Sequence, residues 1–323
     1  MRVFINGFGR IGRTVLRAWA ETPERWPGLE VVGVNDIEAP DMLAYLFEYD
    51  SVFGPWRGSV ALEAGALVIN GRRIPLHRAR DISALDLSDV DLVMECTGRA
   101  DTPEIAGQGL AGGARRVLIS GPAKAAEITV VLGANDADLN GQRLVSNASC
   151  TTNALAPLAR LIDAEFGIVT GSMTTVHCYT GSQPTVDKPR GPMERSRAAA
   201  LSMVPTTTSA GVLMEQVLPD LAGRLVAQAV RVPTASVSAV DLAVTVARAA
   251  TPEQVNAVLK AAGGVIGVTD KPLVSTDLRA RPESVVMALP ETRATAHGLI
   301  RVFGWYDNEW GFSNRMLDMA CRM

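Results

Sequence analysis

Cysteine and histidine are both scarce in this sequence of 323 residues, which contains four of the first and three of the second. The cysteines are Cys96, Cys150, Cys178 and Cys321, a set too small and too scattered for a disulfide framework. No Cys-x-x-Cys or His-x-x-x-His spacing occurs, which argues against a zinc site. We therefore expect no bound metal and a reducing, cytoplasmic compartment.

Long apolar runs and a surplus of one charge are also missing. No stretch approaches the ~20 apolar residues that span a bilayer, and the strand-like start at residues 1–5 leaves no room for a signal peptide. Lys plus Arg total 31 and Asp plus Glu total 34, for a formal net charge of −3. This balance argues against a membrane or nucleic-acid partner held by charge.

The composition is that of a globular chain, with 47% hydrophobic and 20% charged residues, and its length suits two domains of ~150 residues each. The first half alternates short apolar runs with helical stretches, a pattern typical of a parallel α/β sheet. Asn70-Gly71, between two apolar runs, predicts a two-residue hairpin turn. The other predicted strands of this half cover residues 3–6, 31–34, 92–96, 117–120, 129–131 and 144–146, and its first helix covers 13–20.

The pattern changes at residues 147–150, where we place a change of architecture. A helical segment at 153–166 precedes long Val-rich strands with few helices between them, which indicates an antiparallel or mixed sheet covered on one face by helices. Those strands are predicted at 168–180, 226–232, 237–246 and 299–306. A last helical segment at 311–323 is too short to be stable alone and must dock on other elements.

A glycine-rich loop follows the first predicted strand. Gly7, Gly9 and Gly12 fit the pattern G-x-G-x-x-G, in which the glycines permit a tight turn, the approach of a pyrophosphate and close helix packing. The helix that follows offers free N–H groups to phosphates. Asp36 ends the second strand 24 residues after Gly12, where a carboxylate would accept hydrogen bonds from an adenosine ribose. The loop predicts a bound dinucleotide; the alternative is a tight turn without a ligand beside a surface carboxylate.

Cys150 is the candidate nucleophile. It lies among Ser, Thr and Asn residues where a loop turns into a helix, and a helix N-terminus lowers the pKa of a thiol. The settings of Cys96 and Cys321 instead predict buried, inert thiols.

Three histidines are candidates for the base that would take the proton of Cys150. His177 lies at the end of a predicted strand, and periodicity alone leaves a structural histidine as an equal alternative. His77 and His297 are predicted to lie on the surface. Strand alternation places Cys178 on the face opposite His177.

Three blocks of sequence together resemble the phosphorylating glyceraldehyde-3-phosphate dehydrogenases. They are NGFGRIGR at 6–13, SNASCTTN at 146–153 and WYDNEWG at 305–311, and further matches follow at 197–200 and 230–234. The resemblance covers essentially the whole chain and implies an α/β fold. It implies a Rossmann-type NAD-binding domain at 1–149, completed by a C-terminal helix at 314–323, plus an α+β catalytic domain with a large mixed sheet at 150–313. It further implies a homotetramer.

The same resemblance implies roles for individual residues. Cys150 becomes the nucleophile and His177 its base, which raises the histidine above its structural alternative. The implied NAD-binding residues, with Asp36 on the adenosine ribose and Asn314 on the nicotinamide carboxamide, are Gly7, Phe8, Gly9, Arg10, Ile11, Gly12, Asp36, Arg80, Thr97, Ser120 and Asn314. Thr180 and Arg231 would hold the phosphate of the substrate. The implied site for attacking inorganic phosphate is formed by Ser149, Thr151, Arg195 and Thr208.

Several positions depart from the family pattern. Most of them lie near the implied phosphate and substrate sites. They are Ala154 in place of a second cysteine, Gly181-Ser182 in place of Asn-Asp, Glu194 in place of a basic residue, residues 209–212 in place of Gly-Ala-Ala-Lys, and Phe312 in place of Tyr. Lys188 replaces a usual Leu and could pair with the 2′-phosphate of NADP, or lie as a solvated charge. Because Asp36 would repel that phosphate, we predict a preference for NAD with poor use of NADP.

The reaction implied is the NAD-dependent oxidative phosphorylation of glyceraldehyde 3-phosphate to 1,3-bisphosphoglycerate through a cysteine thioester, as in glycolysis or gluconeogenesis. The nearest alternative is erythrose-4-phosphate dehydrogenase, which hydrolyses its thioester with water, or another phosphorylated-aldose dehydrogenase. The pair Tyr179-Thr180 favours glyceraldehyde 3-phosphate over erythrose 4-phosphate as the substrate. A remoter alternative is a non-catalytic NAD- or RNA-binding module, against which the Cys150–His177 pair and the missing basic patch both argue.

Overall fold

The computed structural model describes all 323 residues and divides the chain into two compact units. Unit 1 comprises Met1–Val130, Ala137–Ala148 and Ser313–Met323, and unit 2 comprises Val131–Asp136 and Ser149–Phe312. No helix combines the length and the apolar character needed to cross a membrane.

Unit 1 is built on a nine-stranded sheet in the order β3-β4-β5-β2-β1-β6-β7-β9-β8. Its strands are β1 Arg2–Asn6, β2 Glu30–Asn35, β3 Val60–Glu63, β4 Ala66–Ile69, β5 Arg72–His77, β6 Leu92–Glu95, β7 Arg116–Ile119, β8 Ile128–Thr129 and β9 Leu144–Ser146. All pairs from β5 to β8 are parallel. The chain leaves β1 in one direction to reach β2 and later returns to its other side as β6, so the carboxyl ends of β1 and β6 form a topological switch point, where open α/β sheets bind ligands.

The predicted hairpin lies in the antiparallel part of this sheet. Strands β4 and β5 pair through the turn Asn70-Gly71, in which both residues have positive φ, at 50° and 79°. This is the conformation that Asn-Gly adopts more readily than other dipeptides. The hairpin prediction is confirmed.

The helices of unit 1 are short apart from the first. They are α1 Arg10–Glu21, α2 Pro40–Glu48, α3 Pro103–Ala106 and α4 Gln108–Ala111. Helix α1 buries Val15, Leu16 and Trp19 completely or nearly so, and they form part of the core with the central strands. It begins at Arg10, directly after Gly9 and three residues before the predicted start, so that Gly12 lies in its first turn.

Unit 2 contains the mixed sheet that the Val-rich strands predicted. Its path runs β11-β12-β10-β13-β17-β15-β14, with β16 paired beside β17. The strands are β10 Ile168–Cys178, β11 Val204–Thr206, β12 Leu225–Val232, β13 Ser238–Val246, β14 Ile266–Thr269, β15 Val285–Ala288, β16 Arg293–Ala294 and β17 Leu299–Tyr306. Strand β10 runs parallel to β12 and antiparallel to β13. The predicted fold class, a parallel α/β part plus a part with a large mixed sheet, is confirmed.

Three helices accompany this sheet, namely α5 Cys150–Phe166, α6 Ala210–Val217 and α7 Pro252–Ala262. Helix α5 begins at Cys150, three residues before the predicted start. The reason is an N-cap: the Ser149 hydroxyl accepts a hydrogen bond from the Thr152 N–H at 3.1 Å. The cysteine is therefore the first residue of the helix.

The last helix, α8 Trp310–Ala320, begins in unit 2 and ends in unit 1. In unit 1 its side chains Met316, Leu317 and Met319 are fully buried. Trp26 Nε1 donates a hydrogen bond to Asp318 at 2.7 Å. Packing against unit 1 explains why so short a helix is stable.

Candidate functional sites

At two of the three glycines in the loop of unit 1, a side chain would clash with backbone atoms. Gly7 has a φ of 92°, and a Cβ there would lie 2.6 Å from the Thr97 backbone nitrogen. A Cβ on Gly12 would lie 2.1 Å from the Gly7 carbonyl oxygen, whereas one on Gly9 would meet nothing within 4 Å. The first and third glycines therefore close the turn and pack the helix, and the second faces open space that an approaching group could enter.

Asp36 is tied to this loop. Its Oδ2 accepts a hydrogen bond from the Phe8 N–H at 2.7 Å, and its Oδ1 accepts one from the Glu38 N–H at 3.1 Å. The carboxylate is half-buried, so each oxygen keeps a further lone pair for a ligand. Besides being a candidate ribose acceptor, Asp36 holds the glycine loop in place.

A cavity of about 270 Å³ opens beside the switch point of the unit 1 sheet. The residues implied for NAD binding that line it are Gly7, Gly9, Asp36, Arg80 and Thr97. Those that do not line it are Phe8, Arg10, Ile11, Gly12, Ser120 and Asn314. Of the predicted residues, the structure therefore brings the acidic Asp36, the basic Arg80 and the hydroxyl of Thr97 together with the glycine loop; Glu95 and Arg99, which were not predicted, also line the cavity.

The side chains outside this cavity have other partners. Arg10 forms an ion pair with the buried Asp50. The Ser120 backbone N–H donates to the Glu95 carbonyl at 2.9 Å. Asn314 Oδ1 accepts a hydrogen bond from Arg25 Nη1 at 2.7 Å.

Glu95 is a residue of the cavity that the sequence reading missed. This buried carboxylate accepts from Asn6 Nδ2 at 2.5 Å and from the Thr97 backbone N–H at 2.8 Å, and it also contacts the Thr97 hydroxyl. Burial raises the pKa of Glu95, opposed by these hydrogen bonds. Asn6 ends β1 and Thr97 follows β6. By accepting hydrogen bonds from both residues, Glu95 links the ends of these neighbouring strands where they line the cavity.

In unit 2 the candidate nucleophile and base meet. Cys150 Sγ lies 3.6 Å from His177 Nε2. His177 Nδ1 lies 2.6 Å from the Cys178 carbonyl oxygen, which can only accept, so Nδ1 carries the proton. Nε2 is therefore the unprotonated nitrogen and faces the thiol, as a base requires.

The predicted lowering of the Cys150 pKa was wrong for the separate thiol. Burial raises the pKa of Cys150 to about 11, because the thiolate loses hydration that hydrogen bonds from Thr151 only partly replace. Burial lowers the pKa of His177 for the converse reason. Separate ionisation of either group is thus unfavourable, whereas transfer of the proton from sulfur to Nε2 leaves the pair without net charge.

A second cavity, of about 490 Å³, surrounds this pair. The predicted site residues that line it are Ser149, Cys150, Thr151, His177, Arg195, Thr208 and Arg231. No acidic side chain is among its lining residues. Two guanidinium groups and several hydroxyls are the groups that hold phosphate oxygens, so the cavity is suited to anions.

Each arginine of this cavity is oriented by hydroxyls. Arg195 Nε donates to Thr206 Oγ1 at 2.6 Å, and its Nη2 donates to Thr207 Oγ1 at 3.1 Å. Arg231 Nη1 donates to Thr180 Oγ1 at 3.2 Å and to Ser182 Oγ at 3.0 Å. Thr180, which does not line the cavity, therefore acts on it through Arg231.

Comparison with known proteins follows the same division of the chain. Residues 1–103 match the family model for the glyceraldehyde 3-phosphate dehydrogenase NAD binding domain, and residues 149–308 match that for the C-terminal domain. The chain belongs to the glyceraldehyde-3-phosphate dehydrogenase family. It is 44% identical to the glyceraldehyde-3-phosphate dehydrogenase of Xanthobacter flavus, over all of this chain and 98% of the relative. It is also 44% identical to that of Geobacillus stearothermophilus, over 99% and 97% of the two chains.

Two of the departures noted in the sequence lie at the anion cavity or next to it, because Ser209 lines the cavity and Ser182 contacts Arg231, which lines it. Ser209 lines the cavity where the family pattern has Gly, and Thr208 Oγ1 accepts from the Ala210 N–H at 3.2 Å. Ser182 contributes a neutral hydroxyl to Arg231 where the family pattern has Asp. The signal for Ser182 was present in the sequence as a departure beside Thr180.

The other cysteines and histidines for which the sequence predicted burial or exposure differ in how far they are exposed. Cys321 is exposed, so the prediction that it is buried was wrong. Cys96 as a whole residue is half-buried, but its sulfur is buried and its pKa is raised to about 12, as expected of an inert thiol. His77 packs against Phe4 with ring centroids 5.4 Å apart and is half-buried, contrary to its predicted surface position. His297 is exposed as predicted. No three His, Cys, Asp or Glu side chains are placed to hold a metal ion.

Proposed function

We propose that this chain oxidises glyceraldehyde 3-phosphate with NAD and inorganic phosphate, giving 1,3-bisphosphoglycerate through a thioester on Cys150, in glycolysis or gluconeogenesis. The observation that carries the proposal is the pairing of Cys150 Sγ with an unprotonated His177 Nε2 at 3.6 Å inside a cavity lined by two arginines and no carboxylate. A nucleophilic thiol with its base and two anion-binding cations are the groups that this reaction needs.

The chemistry assigned to the pair begins with the Cys150 sulfur attacking the aldehyde carbon while its proton passes to His177 Nε2, and His177 then gives this proton to the former carbonyl oxygen, which yields a hemithioacetal. The hydroxyl of the hemithioacetal later loses its proton to the same nitrogen once that nitrogen is free. NAD, when bound, accepts the hydride, and a thioester remains on Cys150. Inorganic phosphate then attacks the thioester carbon, the C–S bond breaks, and the thiolate is released with an acyl phosphate.

The anion cavity supplies the two phosphate sites in this scheme. Arg231, oriented by Thr180 and Ser182, would bind the phosphate of the substrate. Arg195 would bind the attacking phosphate together with the hydroxyls of Ser149, Thr151 and Thr208, which line the same cavity. Both arginines would also neutralise charge that develops on oxygen during the reaction.

The residues of unit 1 fit a dinucleotide. Gly9 leaves open space at the start of α1, where helix N–H groups attract phosphate, and Asp36 keeps acceptor capacity for ribose hydroxyls. We assign the cofactor to Gly7, Phe8, Gly9, Arg10, Ile11 and Gly12 of the loop and to Asp36, Arg80, Thr97, Ser120 and Asn314. We further assign NAD binding to residues 1–149 with 314–323, and catalysis to 150–313; the two compact units support this division.

We propose that the chain acts as a homotetramer in the cytoplasm. Apolar side chains that a monomer would leave in water support association: Val186, Met193, Leu201 and Met203 are 71%, 91%, 85% and 75% exposed. All four cysteines are free, which suits a reducing compartment. Light scattering measures the molar mass in solution, and a monomer at micromolar concentration would contradict the proposed tetramer.

The test is formation of NADH from glyceraldehyde 3-phosphate, with and without inorganic phosphate. We expect turnover that depends on phosphate and disappears in Cys150→Ser, while Cys321→Ser, which removes an exposed thiol, keeps it. No NADH from the unmodified chain would overturn the proposal. Sustained turnover without phosphate would instead indicate hydrolysis of the thioester, as in the erythrose-4-phosphate enzymes.

A further inference from the structure

The hydroxyl of Tyr306 joins two elements that carry the reactive pair. Tyr306 is the last residue of β17 and is 2% exposed. Its Oη lies 2.9 Å from Thr151 Oγ1 and 2.7 Å from Thr175 Oγ1. Both threonines are buried as well, so water does not compete for these hydrogen bonds.

The two threonines are neighbours of the nucleophile and of the base. Thr151 follows Cys150 in the first turn of α5, and Thr175 precedes His177 by two residues in β10, on the same face of the strand. The Tyr306 ring also meets the His177 ring edge-on, with centroids 6.1 Å apart. One side chain therefore fixes the start of the helix relative to the end of the strand.

One order of donors and acceptors satisfies the three hydroxyls of Thr151, Tyr306 and Thr175. Each hydroxyl has one hydrogen to donate, and the Thr151 side chain lowers the pKa of the Cys150 thiol against the effect of burial, as a donor near the sulfur does. If Thr151 donates to the sulfur, its oxygen accepts from Tyr306, and Tyr306 in turn accepts from Thr175. This order satisfies all three groups, and hydrogen bonds in such a chain strengthen one another.

We propose that Tyr306 is a positioning residue that directs the Thr151 O–H toward the Cys150 sulfur, so that the chain Thr175–Tyr306–Thr151 stabilises the thiolate when its proton moves to His177. The inference rests on Cys150 being the nucleophile of the proposed function. Its physical basis is the cost of placing a thiolate in a buried site, which a donor aimed at sulfur reduces.

The charges around the sulfur do not replace this donor. The other titratable or charged groups that face Cys150 are His177, Cys178, Arg195, Arg231 and Glu309. Glu309 and a Cys178 thiolate oppose the charge on sulfur, whereas Arg231 supports it. Burial raises the pKa of Tyr306 itself, so that its hydroxyl stays a donor throughout the working pH range.

The experiment measures alkylation of Cys150 by iodoacetamide as a function of pH, read from the Cys150 peptide by mass spectrometry. Tyr306→Phe keeps the ring and removes the hydroxyl, and we expect the midpoint of alkylation to rise by about 0.5–1 pH unit. The matched control is Thr292→Val, which removes a buried hydroxyl of unit 2 that donates to Asn256 at 2.7 Å and lies outside the cavity. It should lower the melting temperature without moving the midpoint.

Two substitutions at Thr151 keep the proposal testable if Tyr306→Phe fails to fold. Thr151→Val should raise the midpoint as Tyr306→Phe does, and Thr151→Ser, which restores the hydroxyl, should return it to that of the unmodified chain. An unchanged midpoint in Tyr306→Phe, or the same shift in Thr151→Ser as in Thr151→Val, would overturn the proposal. Because alkylation requires neither NAD nor aldehyde, failure of the proposed reaction in the unmodified chain would be recognised separately.

Discussion

We predict that one carboxylate, that of Asp36, determines the preference for NAD over NADP, and Asp36→Asn tests this prediction. Asparagine keeps an acceptor oxygen for the Phe8 N–H, now 2.7 Å from Asp36 Oδ2, so the glycine loop stays anchored. What the substitution removes is the negative charge. Asp36→Ala would remove the anchor as well and would mix two effects.

The magnitudes can be worked out from this geometry. A hydrogen bond from a ribose hydroxyl to a carboxylate is worth about 1.5–3 kcal/mol, and its partial loss should lower kcat/KM for NAD by about tenfold. At an effective dielectric constant of about 20, two unit charges about 4 Å apart repel by roughly 4 kcal/mol. Because Asp36 is half-buried, we take about half of this value after screening. Relief of that repulsion should raise kcat/KM for NADP about 30-fold.

The assay compares kcat/KM for both cofactors in Asp36→Asn, in Asp86→Asn and in the unmodified chain. Asp86 is the control because it also accepts a backbone N–H, from Ser88 at 3.1 Å, and lies outside the cavity. Lys188→Leu should lower the use of NADP by less than Asp36→Asn raises it, since an exposed lysine contributes ~1 kcal/mol or less. Equal or better values for NADP in the unmodified chain would refute this account of Asp36.

Four further predictions concern the anion cavity and the residues that contact it. Cys150→Ser should abolish aldehyde oxidation and leave NAD binding intact, as measured by quenching of protein fluorescence; residual activity above a trace contradicts the thioester mechanism. His177→Asn should lower kcat by ~10²–10⁴ and slow the alkylation of Cys150 at neutral pH. In the unmodified chain, because burial lowers the pKa of His177, activity should fall with decreasing pH only below the usual histidine pKa of about 6.5; an acidic limb above that value argues against His177 as the base. Ser182→Ala should raise KM for glyceraldehyde 3-phosphate about three- to tenfold without changing KM for unphosphorylated glyceraldehyde, and an equal change for both substrates would show that Ser182 does not act on the phosphate.

Features set by neighbours along the chain could be predicted from the sequence. The turn at Asn70-Gly71 depends on residues within four positions of one another, and the pattern of residue types reveals it. The N-cap of α5 at Ser149 is equally local, although the helix was predicted to begin three residues too late. The alternation of apolar runs likewise predicted the parallel and the mixed sheet. Local steric and hydrogen-bonding rules are sufficient for these features.

Features that depend on distant segments could not be found in this way. Tyr306 contacts Thr151 across 155 positions of sequence, and Glu95 contacts Asn6 across 89. The pKa of Cys150 shows the same limit, because the helix terminus is visible in the sequence while the burial that opposes it is created by the mixed sheet. His77 was misplaced for this reason too, since its partner Phe4 lies in another strand.

The path of α8 has a consequence for biosynthesis. The segment Ser313–Met323 belongs to unit 1, yet the ribosome makes it only after all of Ser149–Phe312. At roughly 5–20 residues per second, the earlier segments of unit 1 wait on the order of ten to thirty seconds for this helix. During that interval the surface that will bury Met316, Leu317 and Met319 is open to water. Until the segment Ser313–Met323 has been made, a chaperone that binds apolar side chains could protect this part of unit 1.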